Sequence, residues 1–110
     1  MERPPVVAIL NTSPDTVEML RLVLEQWGFV VTSMYTYDLR DAKIDVEMFI
    51  RQHHPDVIIY DIAPPYDENW RLFQHVCAMP FLKEMKFLLT TTNVKRVREA
   101  AGPDPELLEI

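Results

Sequence analysis

At 110 residues, 48% hydrophobic and 25% charged, the chain fits one soluble globular domain over residues 1–110, with enough apolar material for a core. A formal net charge of −6 argues against a nucleic-acid partner, because neutralising phosphates needs a basic face. No apolar run approaches the ~20 residues of a membrane span, and Met1-Glu2-Arg3-Pro4-Pro5 lacks the apolar centre of a secretory signal, so no membrane partner is expected.

A single cysteine, Cys77, precludes an intrachain disulfide and suits a reducing cytoplasm. It falls in an apolar helical pattern and reads as buried filler rather than a nucleophile. With only two glycines, the chain has no glycine loop to cradle a phosphate.

Val6-Val7-Ala8-Ile9-Leu10 is an unbroken apolar run, as expected of a strand buried on both faces of a parallel sheet. Asn11-Thr12-Ser13-Pro14-Asp15 follows, with Ser13 placed to cap a helix that opens on Pro14. Val17, Leu20, Leu24 and Trp27 recur at helical spacing and predict a buried stripe, and Gly28 predicts a left-handed stop. Residues 29–34 (Phe29 to Met34) read as a second strand, and residues 35–43 as a polar loop. Val46, Phe49, Ile50 and His53 space out a short helix that ends before Pro55. His53 and His54 are adjacent, so they cannot ligate one metal from one helix side; solvated helix-end histidines are the simpler reading.

In Asp56-Val57-Ile58-Ile59-Tyr60-Asp61, four consecutive apolar or aromatic residues form another unbroken strand-like run, closed by a carboxylate and a Pro64-Pro65 turn signal. After a loop through Asn69, Trp70, Phe73, Val76 and Cys77 mark a third helix, ended by Pro80. Lys86-Phe87-Leu88-Leu89-Thr90 is a fourth strand with Thr90-Thr91-Thr92 at its carboxyl end. Val94, Val97 and Ala101 form a fourth helix, stopped by Gly102, whose basic face of Lys95, Arg96 and Arg98 reads as solvated surface. Leu107-Leu108-Glu109-Ile110 starts a fifth strand. The alternation predicts an α/β fold: a doubly wound parallel sheet, with Val7, Ile9, Val57, Ile59, Leu88 and Leu89 deeply buried.

In such a sheet, chemistry collects at the carboxyl ends of the strands. The turns after the first, third and fourth strands would bring together Asn11 and Thr12, Asp61, and Thr90 or Thr91. A carboxylate nucleophile beside a strand-end hydroxyl is suited to handling a phosphoryl group, usually with a divalent cation. Asp61 read alone is more simply a turn initiator than a functional carboxylate.

These residues resemble the receiver domain of bacterial two-component response regulators, over essentially Val6 to Ile110. Ile9-Leu10-Asn11-Thr12-Ser13-Pro14-Asp15 is similar to the segment in which an acidic pair precedes a proline, and Pro65 stands four residues after Asp61, as is usual there. The resemblance implies a flavodoxin-like strand order 2-1-3-4 with the fifth strand incomplete, and a domain truncated at its carboxyl end. It implies Asp61 as phosphoacceptor and Thr90 or Thr91 as switch hydroxyl. Asn69 stands where the family has a glycine, a position suited to a left-handed backbone.

Asn11 and Thr12 replace the acidic pair, so the magnesium pocket is degenerate, with Asp61 and the Ala63 carbonyl as remaining ligands and weak or absent Mg²⁺ binding expected. The implied function is a receiver-like module of a cytoplasmic phosphorelay whose partners are a sensor histidine kinase or an output protein. The alternative is a phosphorylation-independent interaction or dimerisation domain that retains only the fold. An enzyme would need a general base or metal cluster; none is visible, and no catalytic residue is assigned. Leu107, Leu108 and Ile110 at an uncovered sheet edge predict self-association, with a homodimer as the simplest product.

Overall fold

A computed structural model describes residues 3–40, 45–82 and 85–102. Four parallel strands, β1 (Val6–Asn11), β2 (Val30–Tyr35), β3 (Val57–Asp61) and β4 (Lys86–Thr90), form one sheet in the order β2-β1-β3-β4. Five helices accompany them: α1 (Pro14–Gln26), α2 (Thr36–Arg40), α3 (Val46–His53), α4 (Tyr66–Cys77) and α5 (Val94–Ala101). This is the expected α/β, flavodoxin-like arrangement. A fifth strand is not shown, because residues 103–110 lie outside the described residues, as do the self-association residues Leu107, Leu108 and Ile110.

The sheet divides the core in two. Ala8, Leu10, Ile58 and Tyr60 pack with Trp70, Phe73, Val76 and Val97, so α4 and α5 cover one face. Val7, Ile9 and Ile59 join Val17, Leu20 and Leu24 under α1 on the other. This alternation within unbroken apolar runs is what burial on both faces produces. The strands are held in register at their amino ends by Asp56, which accepts the Val6 N–H at 2.7 Å and the guanidinium fork of Arg3 at 3.0 and 3.2 Å. The Val6 hydrogen bond, then the Arg3 charge, outweigh desolvation and hold the Asp56 carboxyl below its ordinary pKa.

Helix starts follow their caps. The Ser13 hydroxyl accepts the Thr16 N–H, Asp45 Oδ1 accepts the Glu47 and Met48 N–H groups, and Asn93 Oδ1 accepts the Arg96 N–H. After α1, Gly28 adopts φ +90°, the expected left-handed stop. His54 caps α3 in the same region at φ 48°, while His53 leans against Phe49 at 4.7 Å, half-buried rather than solvated.

Four further expectations are corrected. Trp27 is 78% exposed, not part of the buried stripe. At 3.6 residues per turn Leu24 falls about 20° from Val17 around the helix, but Trp27 falls about 80° away and past the last turn. Leu88 is 41% exposed, and Val57 and Leu89 are only partly buried. Here β4 is the edge among the described strands, and α1 packs over β1 and β2, so the covered face does not extend across β4 to Leu88. Residues 36–40 form the short helix α2 where a loop was expected, with Tyr35 and Tyr37 stacked at 5.2 Å across its start. Asn69 lies inside α4 and is buried, so its backbone is helical rather than left-handed.

The two tryptophans should therefore behave oppositely. Trp70, 4% exposed, should cost about 3–5 kcal/mol when changed to alanine. In dilute solution Trp27→Ala should stay within about 0.5 kcal/mol of the parent. Urea unfolding of both variants measures the contrast, and equal losses would contradict the placement of α1.

Candidate functional site

The register Ile59↔Leu88, Tyr60↔Leu89 and Asp61↔Thr90 ends β3 and β4 level with one another. On the other side Leu10 pairs with Tyr60, so Asn11 and Asp61 also finish their strands side by side. By strand alternation, Asn11, Asp61 and Thr90 share the face of Ile9, Ile59 and Leu88. The sheet thus gathers three of the residues expected at the site.

Thr90 Oγ1 donates to Asp61 Oδ1 at 2.7 Å. Thr91, the other hydroxyl considered, turns away and donates to the Ile62 carbonyl at 2.8 Å, while the Ile62 N–H donates to the Thr90 carbonyl at 2.8 Å. These two bonds tie the chain after β3 to the chain after β4. Asp61 is half-buried, and desolvation raises its carboxyl pKa; the Thr90 hydrogen bond opposes the rise without cancelling it.

Asn11 is buried, and its Oδ1 accepts the Ser13 N–H at 2.9 Å, an Asx turn that closes the chain between β1 and α1. Thr12 beside it is half-buried. The Asn69 amide donates to the Ala63 carbonyl at 2.6 Å. Sequence reasoning missed this role for Asn69; its polarity on the buried side of an apolar helix was the available signal.

The donor set does not fit a hard dication. Such an ion wants several oxygens, carboxylates among them. Asp61 is the one carboxylate among the described residues at these strand ends, and the Asn11 and Ala63 oxygens are neutral, each already accepting a hydrogen bond, from the Ser13 N–H and from Asn69 of α4. Among the described residues no group of three or more His, Cys, Asp or Glu side chains could hold a metal.

Beside the site, the β3–α4 turn and the start of α5 enclose an open groove of about 540 Å³. Arg71 and Arg96 line it together with Asp67 and Glu68, and the Arg96 guanidinium lies 5.8 Å from the Tyr66 ring centre. Asp61 and Thr90 are not among its walls. Away from the groove lining, burial pushes the half-buried Cys77 thiol up to about 11, and the Tyr60 hydroxyl, also raised by burial, has no hydrogen-bond partner among the described residues. No helix among the described residues is long and apolar enough to cross a membrane. No protein-family model, curated protein or solved structure matches the chain.

Two outcomes follow. Asp61→Asn keeps an acceptor for Thr90 and removes a charge whose burial is unfavourable. A raised folded pKa means that the cost is full above that pKa and is lost as pH falls through it toward the ordinary carboxylate value. The variant should gain up to about 1 kcal/mol near neutral pH, screened because the group is half exposed, and nothing in acid; thermal unfolding across that range measures it. Cys77 should react with a thiol reagent at neutral pH far more slowly than the same thiol in the unfolded chain, since little of a thiol titrating near 11 is thiolate. Alkylation rates with and without denaturant measure this.

Proposed function

We propose that the chain is a receiver-like module of a two-component phosphorelay, atypical in its metal pocket, with Asp61 as the phosphoacceptor. The observation that carries this reading is the 2.7 Å contact of Thr90 with Asp61 at the carboxyl edge of a parallel sheet. A carboxylate oxygen of Asp61 would attack phosphorus as the donor's leaving group departs with its electron pair, giving an acyl phosphate. The Thr90 hydroxyl, released from the carboxylate, would then donate to a phosphoryl oxygen. Because Thr91 and the Ile62 N–H couple the two loops, a moved Thr90 would carry the start of α5 with it. In this reading the surface near α5 meets a sensor kinase or an output protein in the cytoplasm.

A second reading is favoured by one specific observation. The Asn11 and Ala63 oxygens are engaged from within the chain, by Ser13 and by Asn69 of α4, as suits a domain that signals by contact alone, without phosphorylation.

Incubation with a small phosphodonor, followed by intact mass, separates the two. The first reading predicts one phosphoryl adduct on the parent and none on Asp61→Asn, with a yield that magnesium does not raise. No adduct under any condition would overturn it in favour of the second reading. Calorimetric titration should give no saturable magnesium binding, and tight binding would contradict the donor-set argument.

A further inference from the structure

Strand β2 is an edge among the described strands, with β1 as its neighbour on one side alone. The Val30 N–H donates to the Pro5 carbonyl at 2.9 Å, so Val30 turns its backbone groups toward β1. By alternation Thr32 and Met34 do the same, while Val31, Ser33 and Tyr35 turn theirs outward along the free edge. The strand Val30-Val31-Thr32-Ser33-Met34-Tyr35 contains no charge, no proline and no glycine. Such a segment is suited to pairing with a second copy of itself unless something blunts its edge.

The charge laid on that edge comes from another element. Arg21 reaches across from α1: its Nη1 donates to the outward Val31 carbonyl at 3.0 Å, and its Nη2 to the Ser33 hydroxyl at 3.0 Å. Glu18 at 3.9 Å and Glu25 at 3.7 Å flank the guanidinium from one turn on either side. Those exposed pairs add little energy, but they hold the fork over the strand rather than in solvent. The Arg21 side chain is 29% exposed, so most of it lies against the protein.

We infer that Arg21 is an edge guard, occupying an outward carbonyl of β2 and setting a charge where the backbone of a second copy would have to lie. Strand addition at β2 then requires the guanidinium to give up two hydrogen bonds and move aside, which a neutral side chain would not require. The guard makes no use of Asp61, so its failure leaves the proposed function untouched.

Analytical ultracentrifugation of the full chain, well below its thermal transition, tests it. Arg21→Met keeps an unbranched apolar stem and loses the charge and both donors. The concentration at which this variant associates should fall about tenfold or more below the parent's, the scale of one lost charged hydrogen bond. The associated species should keep the parent's far-ultraviolet circular dichroism. Arg21→Lys, which retains the charge and can serve one acceptor, should behave as the parent does. Val30→Lys added to the Arg21→Met chain should reverse the association, because Val30 is 48% exposed and carries the new charge on the same strand. An Arg21→Met chain that loses stability but associates no more readily than the parent has lost only a staple between α1 and β2, and overturns the inference. So does association that Val30→Lys leaves in place, that Arg21→Lys shares in full, or that comes with loss of the native dichroism.

Discussion

Strand β3 pairs with β1 on one side and β4 on the other, so that Ile59 stands opposite both Ile9 and Leu88. With side chains alternating between two covered faces, a slip of one residue would send Ile58 and Tyr60 out of the α4 core and Asp61 away from Thr90. Burial thus selects the register, and the register delivers the site: a carboxylate, a hydroxyl and a carboxamide finishing three adjacent strands. No residue of the site has to be held by a long loop. Local closure comes from Asn11 at the end of β1 on Ser13, Asn69 of α4 on Ala63 and Thr91 on Ile62.

The same closures define what the site is suited to. Hydrogen bonds that satisfy buried or half-buried oxygens from within the chain rigidify the strand ends, and the oxygens they engage beside Asp61 are neutral, where a hard cation would want further carboxylates. Asp61 is left with one hydroxyl donor and a partly desolvated charge. That arrangement accommodates a nucleophile or a fixed hydrogen-bond pair; the difference between the two readings lies in whether Thr90 can be drawn off.

Much of the architecture was legible because parallel strands buried on both faces leave an unmistakable mark. The runs at Val6 and Val57 and the segment Lys86–Thr90 appear as strands, and Gly28 and Gly102 stop their helices as expected. The misses have local causes. Five residues in α2 are too few to show a period. Trp27 matched the spacing pairwise but had rotated off the buried face by the tenth residue. Leu88 reads like any central-strand residue, and only its position at the described sheet edge exposes it. For the site, Asp61 and Thr90 were legible as strand-end residues and through the receiver resemblance. The choice between Thr90 and Thr91 needed the register, and the carbonyl-capping role of Asn69 was obscured by treating the position as a stand-in for glycine.

The central claim is that Asp61 and Thr90 form one coupled, partly buried pair. Carbon-13 NMR titration of the Asp61 carboxyl, in the parent and in Thr90→Ala, tests it most directly. The account predicts a midpoint above that of an ordinary aspartate in the parent, and a further rise when the Thr90 donor is removed. A midpoint at or below the ordinary value, or one that Thr90→Ala leaves unmoved, would contradict it.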